Sequence, residues 1–276
     1  MKNLMPNLSL IKTAIVVSTY NRPDALRIVM ESLLIQTVFP DEIIIADDGS
    51  TSQTQNLINY YKERFPNLIT HVWQEDKGFR LAAIRNKAMA LAKSDYIIQI
   101  DGDIMLHSKF VEDHISMATK GYYAAGSRAM LSENLTTDII NCMASRSLCV
   151  FSQGVHNRLN AIRIPILMHL LAHPRVSKKS FKKIKGCHMA FWKEDFIRIN
   201  GYNEDFEGWG SEDVEIELRF IKAGLKRCNL KFGALQYHLY HPENNKDREK
   251  KNEKICSQTR DSKTIRCQNG VNKYLQ

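Results

Sequence analysis

Residues 96–103 read Tyr-Ile-Ile-Gln-Ile-Asp-Gly-Asp. A short apolar run that stops at two carboxylates reads as a buried strand delivering acidic groups to its carboxyl end. Upstream the pattern repeats. Ala14–Ser18 is a β-branched run ending in Thr19-Tyr20-Asn21, Glu42–Ala46 ends in Asp47-Asp48-Gly49-Ser50, and Leu68–Gln74 ends in Glu75-Asp76. Between these runs lie helical stretches at 23–36, 52–64 and 80–93, the first opened by Pro23 and Asp24 where both are favoured. Strands alternating with helices predict right-handed crossovers and a mainly parallel, Rossmann-like α/β sheet flanked by helices. Ligands of such sheets bind beyond the carboxyl ends of the strands, and four consecutive ends here are polar or acidic.

No G-x-G-x-x-G and no G-x-x-x-x-G-K-[ST] occurs, which argues against a dinucleotide site and a P-loop. An acidic edge repels a bare phosphate but accepts one through a divalent cation, Mn²⁺ or Mg²⁺. Asp101-Gly102-Asp103 is the candidate anchor. With 15 Asp in 276 residues such a pair arises about once by chance, so its place after a strand carries the argument. Gly102 is expected to let the backbone turn so that both carboxylates face the ligand. At the second strand end, one carboxylate suits the imide N–H of a uracil ring, and the other suits a turn in which Ser50 or Ser52 caps the next helix. Arg80 and Arg85 sit at and just beyond a helix start, a place suited to a diphosphate.

The second half has one dense segment, Gly208-Trp209-Gly210-Ser211-Glu212-Asp213. Paired glycines let a tight loop present a flat ring. Glu212 and Asp213 then open a helix whose dipole favours ionised carboxylates, with Ile216, Arg219 and Phe220 on its inner face. A carboxylate beside an aromatic platform suits sugar binding and general-base work. His238 and His241, after a strand-like run at 228–237, are spaced to converge on a metal that needs further ligands.

The 276 residues carry a net charge of +9, and the excess is local. Residues 139–193 hold ten Lys/Arg and no acid, whereas the other 221 residues hold 29 basic and 30 acidic ones. The tail 246–276 adds nine basic against four acidic residues. Basic zones on a near-neutral body point to an anionic partner, here an anionic membrane surface reached by the apolar run at 162–171 and by Lys178, Lys179, Lys182, Lys183 and Lys185. A nucleic-acid partner is set aside, because Phe181 is the only aromatic among the lysines between 178 and 185 and the acidic strand ends repel phosphate. The composition excludes collagen, wholesale disorder and a disulfide scaffold, and no apolar run reaches membrane-spanning length. No signal peptide is read at the N-terminus, and the six cysteines have no zinc spacing. The expected location is cytoplasmic, peripheral to the inner face of the membrane.

STYNRPD at 18–24, ADDGST at 46–51, DGD at 101–103 and GWGSED at 208–213 together resemble a family 2 glycosyltransferase of the GT-A fold. Residues from about 186 to 242 look like the C-terminal segment of β-1,4-galactosyltransferases, chondroitin-type polymerases and polypeptide GalNAc-transferases. The resemblance covers about 13–130 and 186–245. It implies four regions: a nucleotide-sugar half (1–130), a basic variable region facing acceptor or membrane (131–185), a galactosyltransferase-like catalytic segment (186–245) and a basic tail (246–276). It implies nucleotide contacts from Thr19, Tyr20, Asn21, Asp48, Arg80, Arg85, Asp101 and Gly102. The implied metal ligands are Asp101, Asp103, His241 and His238, the last in the place of a family methionine. Sugar and acceptor contacts would come from Trp209 and Glu212, with Asp213 as base. His188 stands where many relatives have a small or amide residue facing the donor sugar.

The implied reaction is inverting, metal-dependent transfer of a hexose or N-acetylhexosamine from a UDP-sugar to a hydroxyl of a glycan or lipid-linked acceptor, in lipopolysaccharide or capsule assembly. The alternatives are a retaining GalNAc-transferase-like enzyme and a pyrophosphorylase-like nucleotidyltransferase. The absence of a Gly-rich phosphate loop counts against the latter.

Overall fold

A computed structural model describes residues 11–142, 148–172, 184–242 and 246–275. The first half alternates as expected: β1 (Thr13–Thr19), α1 (Pro23–Leu34), β2 (Glu42–Asp47), α2 (Ser52–Arg64), β3 (Ile69–Trp73), α3 (Leu81–Leu91) and β4 (Tyr96–Asp101). There follow β5 (Ile104–Leu106), α4 (Phe110–Met117), β6 (Tyr122–Gly126), β7 (Ala129–Leu131), α5 (Glu133–Cys142), β8 (Val155–His156) and α6 (Pro165–Leu171). The remainder is β9 (His188–Trp192), α7 (Lys193–Arg198), α8 (Glu212–Lys222), β10 (Lys226–Leu230), β11 (Gln236–His238) and α9 (Glu249–Asp261).

Seven strands form the central sheet in the order β10-β6-β9-β4-β1-β2-β3. All its pairings are parallel except those of β9, which runs antiparallel to both β4 and β6. Every residue of β1 is buried, as an apolar strand covered on both faces requires. Ala82 and Ala88 of α3 are small enough to let that helix lie close on the sheet, and they share a core with Val16, Ile44 and Phe191.

A smaller sheet, β5-β11-β7-β8, stands beside the first. The run at 228–237 is therefore not one strand. It breaks at Phe232 and Ala234, both at positive φ, into β10 of the large sheet and β11 of the small one. The small sheet shares an apolar cluster with Ala25 and Ile28 of α1 and Ile139 of α5. Leu131, Ile139, Val155 and Ala161 of the expected 131–185 region thus pack into the same core as their neighbours. The basic tail is also ordered. Cys256 of α9 packs on Phe206 and Leu218, and Val271 is buried with its N–H donating to the Asn200 carbonyl at 2.9 Å. Among the described residues no helix is long and apolar enough to cross a membrane.

Candidate active site

The carboxyl ends of β1, β2 and β4 converge on one edge. Asn21, at φ +46°, accepts the Thr51 N–H through Oδ1 at 2.8 Å and donates its own N–H to Ser50 Oγ at 2.9 Å. Ser50 is thereby used, and α2 starts after Thr51 with no side-chain cap, so neither Ser50 nor Ser52 caps it. The two aspartates divide their work. Asp47 Oδ1 closes the turn on the Ser50 N–H at 2.8 Å, while Asp48 accepts the Arg80 N–H at 2.8 Å and the Gln74 amide. Burial pushes the Asp48 carboxyl up. Tyr20 holds an exposed ring beside them, its hydroxyl donating to Asp76 at 2.8 Å. Thr19 is buried, and its Oγ1 has no partner among the described residues. Arg80 meets this edge through its backbone N–H, while its guanidinium bonds the Glu75 carbonyl.

Gly102 is needed for a reason other than the turn. Its φ is not positive, but a Cβ there would lie 2.9 Å from the Ser18 carbonyl and 3.0 Å from Thr19. The close approach, closed by the Gly102 N–H to Ser18 at 2.7 Å, admits no side chain.

The D-x-D pair splits. Asp103 Oδ2 lies 3.3 Å from His241 Nε2 and 3.7 Å from His238 Nε2, and one ligand atom from each of the three residues falls within 4.8 Å of the others. The arrangement follows from the backbone: His238 pairs with Ile104 across β11 and β5, and the Leu239 N–H donates to the Asp103 carbonyl at 2.9 Å. Asp103 Oδ1 is buried with no hydrogen-bond partner among the described residues. Burial and the Asp101 charge push the Asp103 carboxyl up, and burial with nearby Arg128 pushes His238 down to about 3, leaving a neutral imidazole with a free lone pair. A buried acceptor with no donor beside two imidazoles fits a divalent cation.

Asp101 turns elsewhere, to Arg85. That guanidinium is 1% exposed and donates to Asp101 Oδ1 at 2.8 Å and Ser18 Oγ at 3.1 Å, with Nη1 3.7 Å from Glu212 Oε1. It lies over the Tyr202 ring at 5.4 Å, and the Tyr202 hydroxyl donates to Gln99 of β4 at 2.8 Å. Arg85 was expected to face a diphosphate; it is instead a buried bridge between the first strand ends and α8.

At the far end of that bridge Glu212 and Asp213 open α8 as expected, behind Ser211 at φ +71°. Asp213 Oδ2 accepts the Gly186 N–H at 3.0 Å and Oδ1 its neighbour Val214 N–H at 2.8 Å. Burial raises both carboxyls, Glu212 further through the Asp213 charge. A carboxylate so raised is a better proton acceptor than an ordinary aspartate. Trp209 is 38% exposed between Gly208 and Gly210, with the Lys246 ammonium 5.4 Å over its ring and its carbonyl accepting from Asn252 at 3.3 Å.

His188 is not at this surface. It is wholly buried, Nδ1–H donating to the Ser127 carbonyl at 3.0 Å and Nε2 accepting from His114 at 3.1 Å. The ring fills the place that a side chain on Gly126 would take. Of the basic cluster, Lys178, Lys179, Lys182 and Lys183 lie outside the described residues, and Lys185 is exposed.

Two arginines at the site escaped the sequence reading. Arg22 Nη1 lies 3.5 Å from Asp103 Oδ2, and the signal was present, because Arg22 follows Asn21 directly. Arg128 donates to Cys187 Sγ at 2.9 Å, and its charge acts on Asp101 and Asp103. It follows β6, whose carboxyl end lies on the same edge.

The sequence pattern of the family described as Glycosyl transferase family 2 matches residues 14–164, and that of the N-terminal domain of galactosyltransferase matches 168–242. Chondroitin synthase of Escherichia coli is 27% identical over 251 residues, covering 85% of this chain and 36% of its own length. Hyaluronan synthase of Pasteurella multocida is 27% identical over 256 residues, 86% of this chain and 25% of its own. The chain therefore spans between a quarter and about a third of those relatives. Among solved structures, S. aureus TarS 1–349 in complex with UDP superposes with a TM-score of 0.63 at 14% identity over 90% of this chain and 65% of that one. The mannosyltransferase PcManGT from Pyrobaculum calidifontis, in complex with GDP-Man and Mn²⁺, superposes with a TM-score of 0.58 at 15% identity over 88% and 62%. The galactosyltransferase match runs through β9, α8 and β11, and the first match through the strand ends they face; this chain belongs to glycosyl transferase family 2, on a GT-A fold.

Proposed function

We propose that the chain is an inverting, metal-dependent glycosyltransferase that moves a hexose or N-acetylhexosamine from a UDP-sugar to a hydroxyl of a glycan or lipid-linked acceptor. The observation that carries this reading is that a cation-ready cluster, Asp103 with His238 and His241, and a raised acid pair, Glu212 and Asp213, stand on one edge, with Arg85 bridging Asp101 to Glu212. Asp103, His238 and His241 would hold the ion, and the two nitrogen ligands turn the choice from Mg²⁺ toward Mn²⁺. When bound, the ion supplies Lewis-acid stabilisation of the departing diphosphate. Tyr20 offers the base a flat ring, with Thr19 and Asn21 beside it, and Asp48 accepts the imide N–H. Arg22 and Arg128 bring positive charge to the diphosphate end. Asp213 accepts the acceptor proton as the new bond forms. Glu212 and Trp209 orient the acceptor sugar, the ring by its face and the carboxylate by its oxygens. UDP in TarS and Mn²⁺ in PcManGT support the donor class and the ion, and the two polysaccharide synthases support a role in a surface polysaccharide such as lipopolysaccharide or capsule.

The test is a screen of UDP-galactose, UDP-N-acetylgalactosamine, UDP-glucose and UDP-N-acetylglucosamine with Mn²⁺ and with EDTA. Release of UDP from one donor, abolished by EDTA, is expected, and NMR of the glycoside should show the anomeric configuration inverted. Full turnover in EDTA would remove the metal assignment. A retained configuration would replace Asp213 as base with the GalNAc-transferase-like alternative.

A further inference from the structure

We infer that α6 is a membrane-docking element that seats the acceptor side of the enzyme on an anionic lipid surface. This helix is anchored on one side. The Ile164 N–H donates to the Phe232 carbonyl at 2.8 Å, and buried Met168 presses on Gly233, where a Cβ would meet its sulfur at 1.9 Å. The base of the helix is fixed by Arg163, which bonds both Asp113 oxygens at 2.6 and 2.9 Å, while Asp113 also accepts the Ala234 N–H at 2.8 Å. The outer side carries Ile166, 74% exposed, and Leu170, 63% exposed, with Leu171 and Ile164 beside them. Large aliphatic side chains held outward on a braced helix gain by entering an apolar phase.

Charge selects the occupant. α6 lies within the 55 residues at 139–193 that contain ten Lys/Arg and no acid, and exposed Lys231 precedes the Phe232 to which the helix is tied. Basic residues that flank an apolar wedge in the sequence match an anionic bilayer, whose negative surface attracts Lys and Arg. The topology gives the orientation. β9 is antiparallel to both β4 and β6, and β10 is parallel to β6, so the loop after β10, against which α6 rests, is on the same edge as Asp101 and Asp103. It lies at the end of the sheet away from β1, β2 and β3. Docked there, the enzyme would meet a lipid-linked acceptor from the side opposite the nucleotide. That last step rests on the proposed transfer reaction; the docking does not.

The whole chain should sediment with phosphatidylcholine vesicles containing roughly 30% phosphatidylglycerol and hardly at all with phosphatidylcholine alone, and binding should fade with added salt. Ile166→Ser/Leu170→Ser should lower vesicle affinity about tenfold or more, with the melting temperature and UDP-sugar hydrolysis unchanged, because both side chains are exposed. Three results would overturn the proposal: equal binding to both vesicles, undiminished binding by the double variant, or a concentration-dependent dimer that the double variant abolishes, which would assign the face to a second copy. Hydrolysis without docking would sink this inference alone; docking without hydrolysis would sink the transfer reading alone.

Discussion

The two halves of the active-site edge are built by different means. At the ends of β1, β2 and β4, the groups stand where the chain leaves the sheet and take their hydrogen bonds from backbone N–H groups of their own and adjoining loops. On the other side, Asp213 is set by Gly186, His238 and His241 by Asp103, and Glu212 by Arg85, each pair remote in sequence. The first half is a sheet edge that could bind with modest help. The second exists only when the chain has closed on itself. The difference teaches that nucleotide binding and transfer should be separable by mutation.

The largest effect should come from the shared cluster. Asp103→Ala removes the central carboxylate, and transfer should fall to background in a coupled UDP-release assay. Near-normal rates would show that the two histidines do not need it. Next, Asp213→Asn keeps the shape but cannot accept a proton, so kcat should fall about 10²–10⁴-fold. UDP affinity measured by calorimetry should stay within about twofold, since the nucleotide groups lie on the other half. A matching loss of UDP affinity would erase the separation. Arg85→Met should damage both halves together, leaving Asp101 and Glu212 without their buried counter-charge. A loss of about 3–5 kcal/mol is expected in chemical denaturation, together with weaker UDP binding and slower transfer. An effect on only one side would show that the bridge is not shared.

A smaller effect concerns pH. Burial lowers the His188 imidazole to about 4 and holds His114 well below its ordinary value, so both stay neutral when folded but protonate when unfolded near 6.5. The unfolded chain then binds more protons between those values. Stability is complete above about pH 6.5 and should fall as pH drops toward 4, by on the order of 3 kcal/mol for His188 alone. Denaturation curves across that range check it, and a flat profile would count against the neutral pair. The smallest effect is expected at Trp209. Trp209→Phe keeps a platform and should raise the acceptor KM a few-fold at unchanged kcat.

Much of the fold was legible because each early segment declares itself locally: the helix expected over 52–64 is Ser52–Arg64, and the four strand ends fall where the apolar runs stop. The acid pair opening α8 was legible for the same reason. What escaped depends on distant partners. Nothing local separates Asp101 from Asp103, yet one meets Arg85 and the other the histidines. Arg85 reads as a surface helix residue until Tyr202 and Glu212 enclose it. His188 stands where the resemblance places a residue facing the donor sugar, but its strand lies between β4 and β6 and turns the ring into the core. The run at 228–237 looks continuous because its periodicity does not register two positive-φ residues.

The pairing of β5 with β11 has a kinetic consequence. His238 reaches Asp103 through a three-residue antiparallel ladder between segments far apart in the chain. Such non-local contacts form late, because loop-closure entropy must be overcome before they are rewarded. During refolding, helix content and the burial of β1, β2 and β4 should recover ahead of the cluster. Catalytic competence would then lag behind the circular-dichroism signal, and the lag would mark the moment at which the last short strand slides into register.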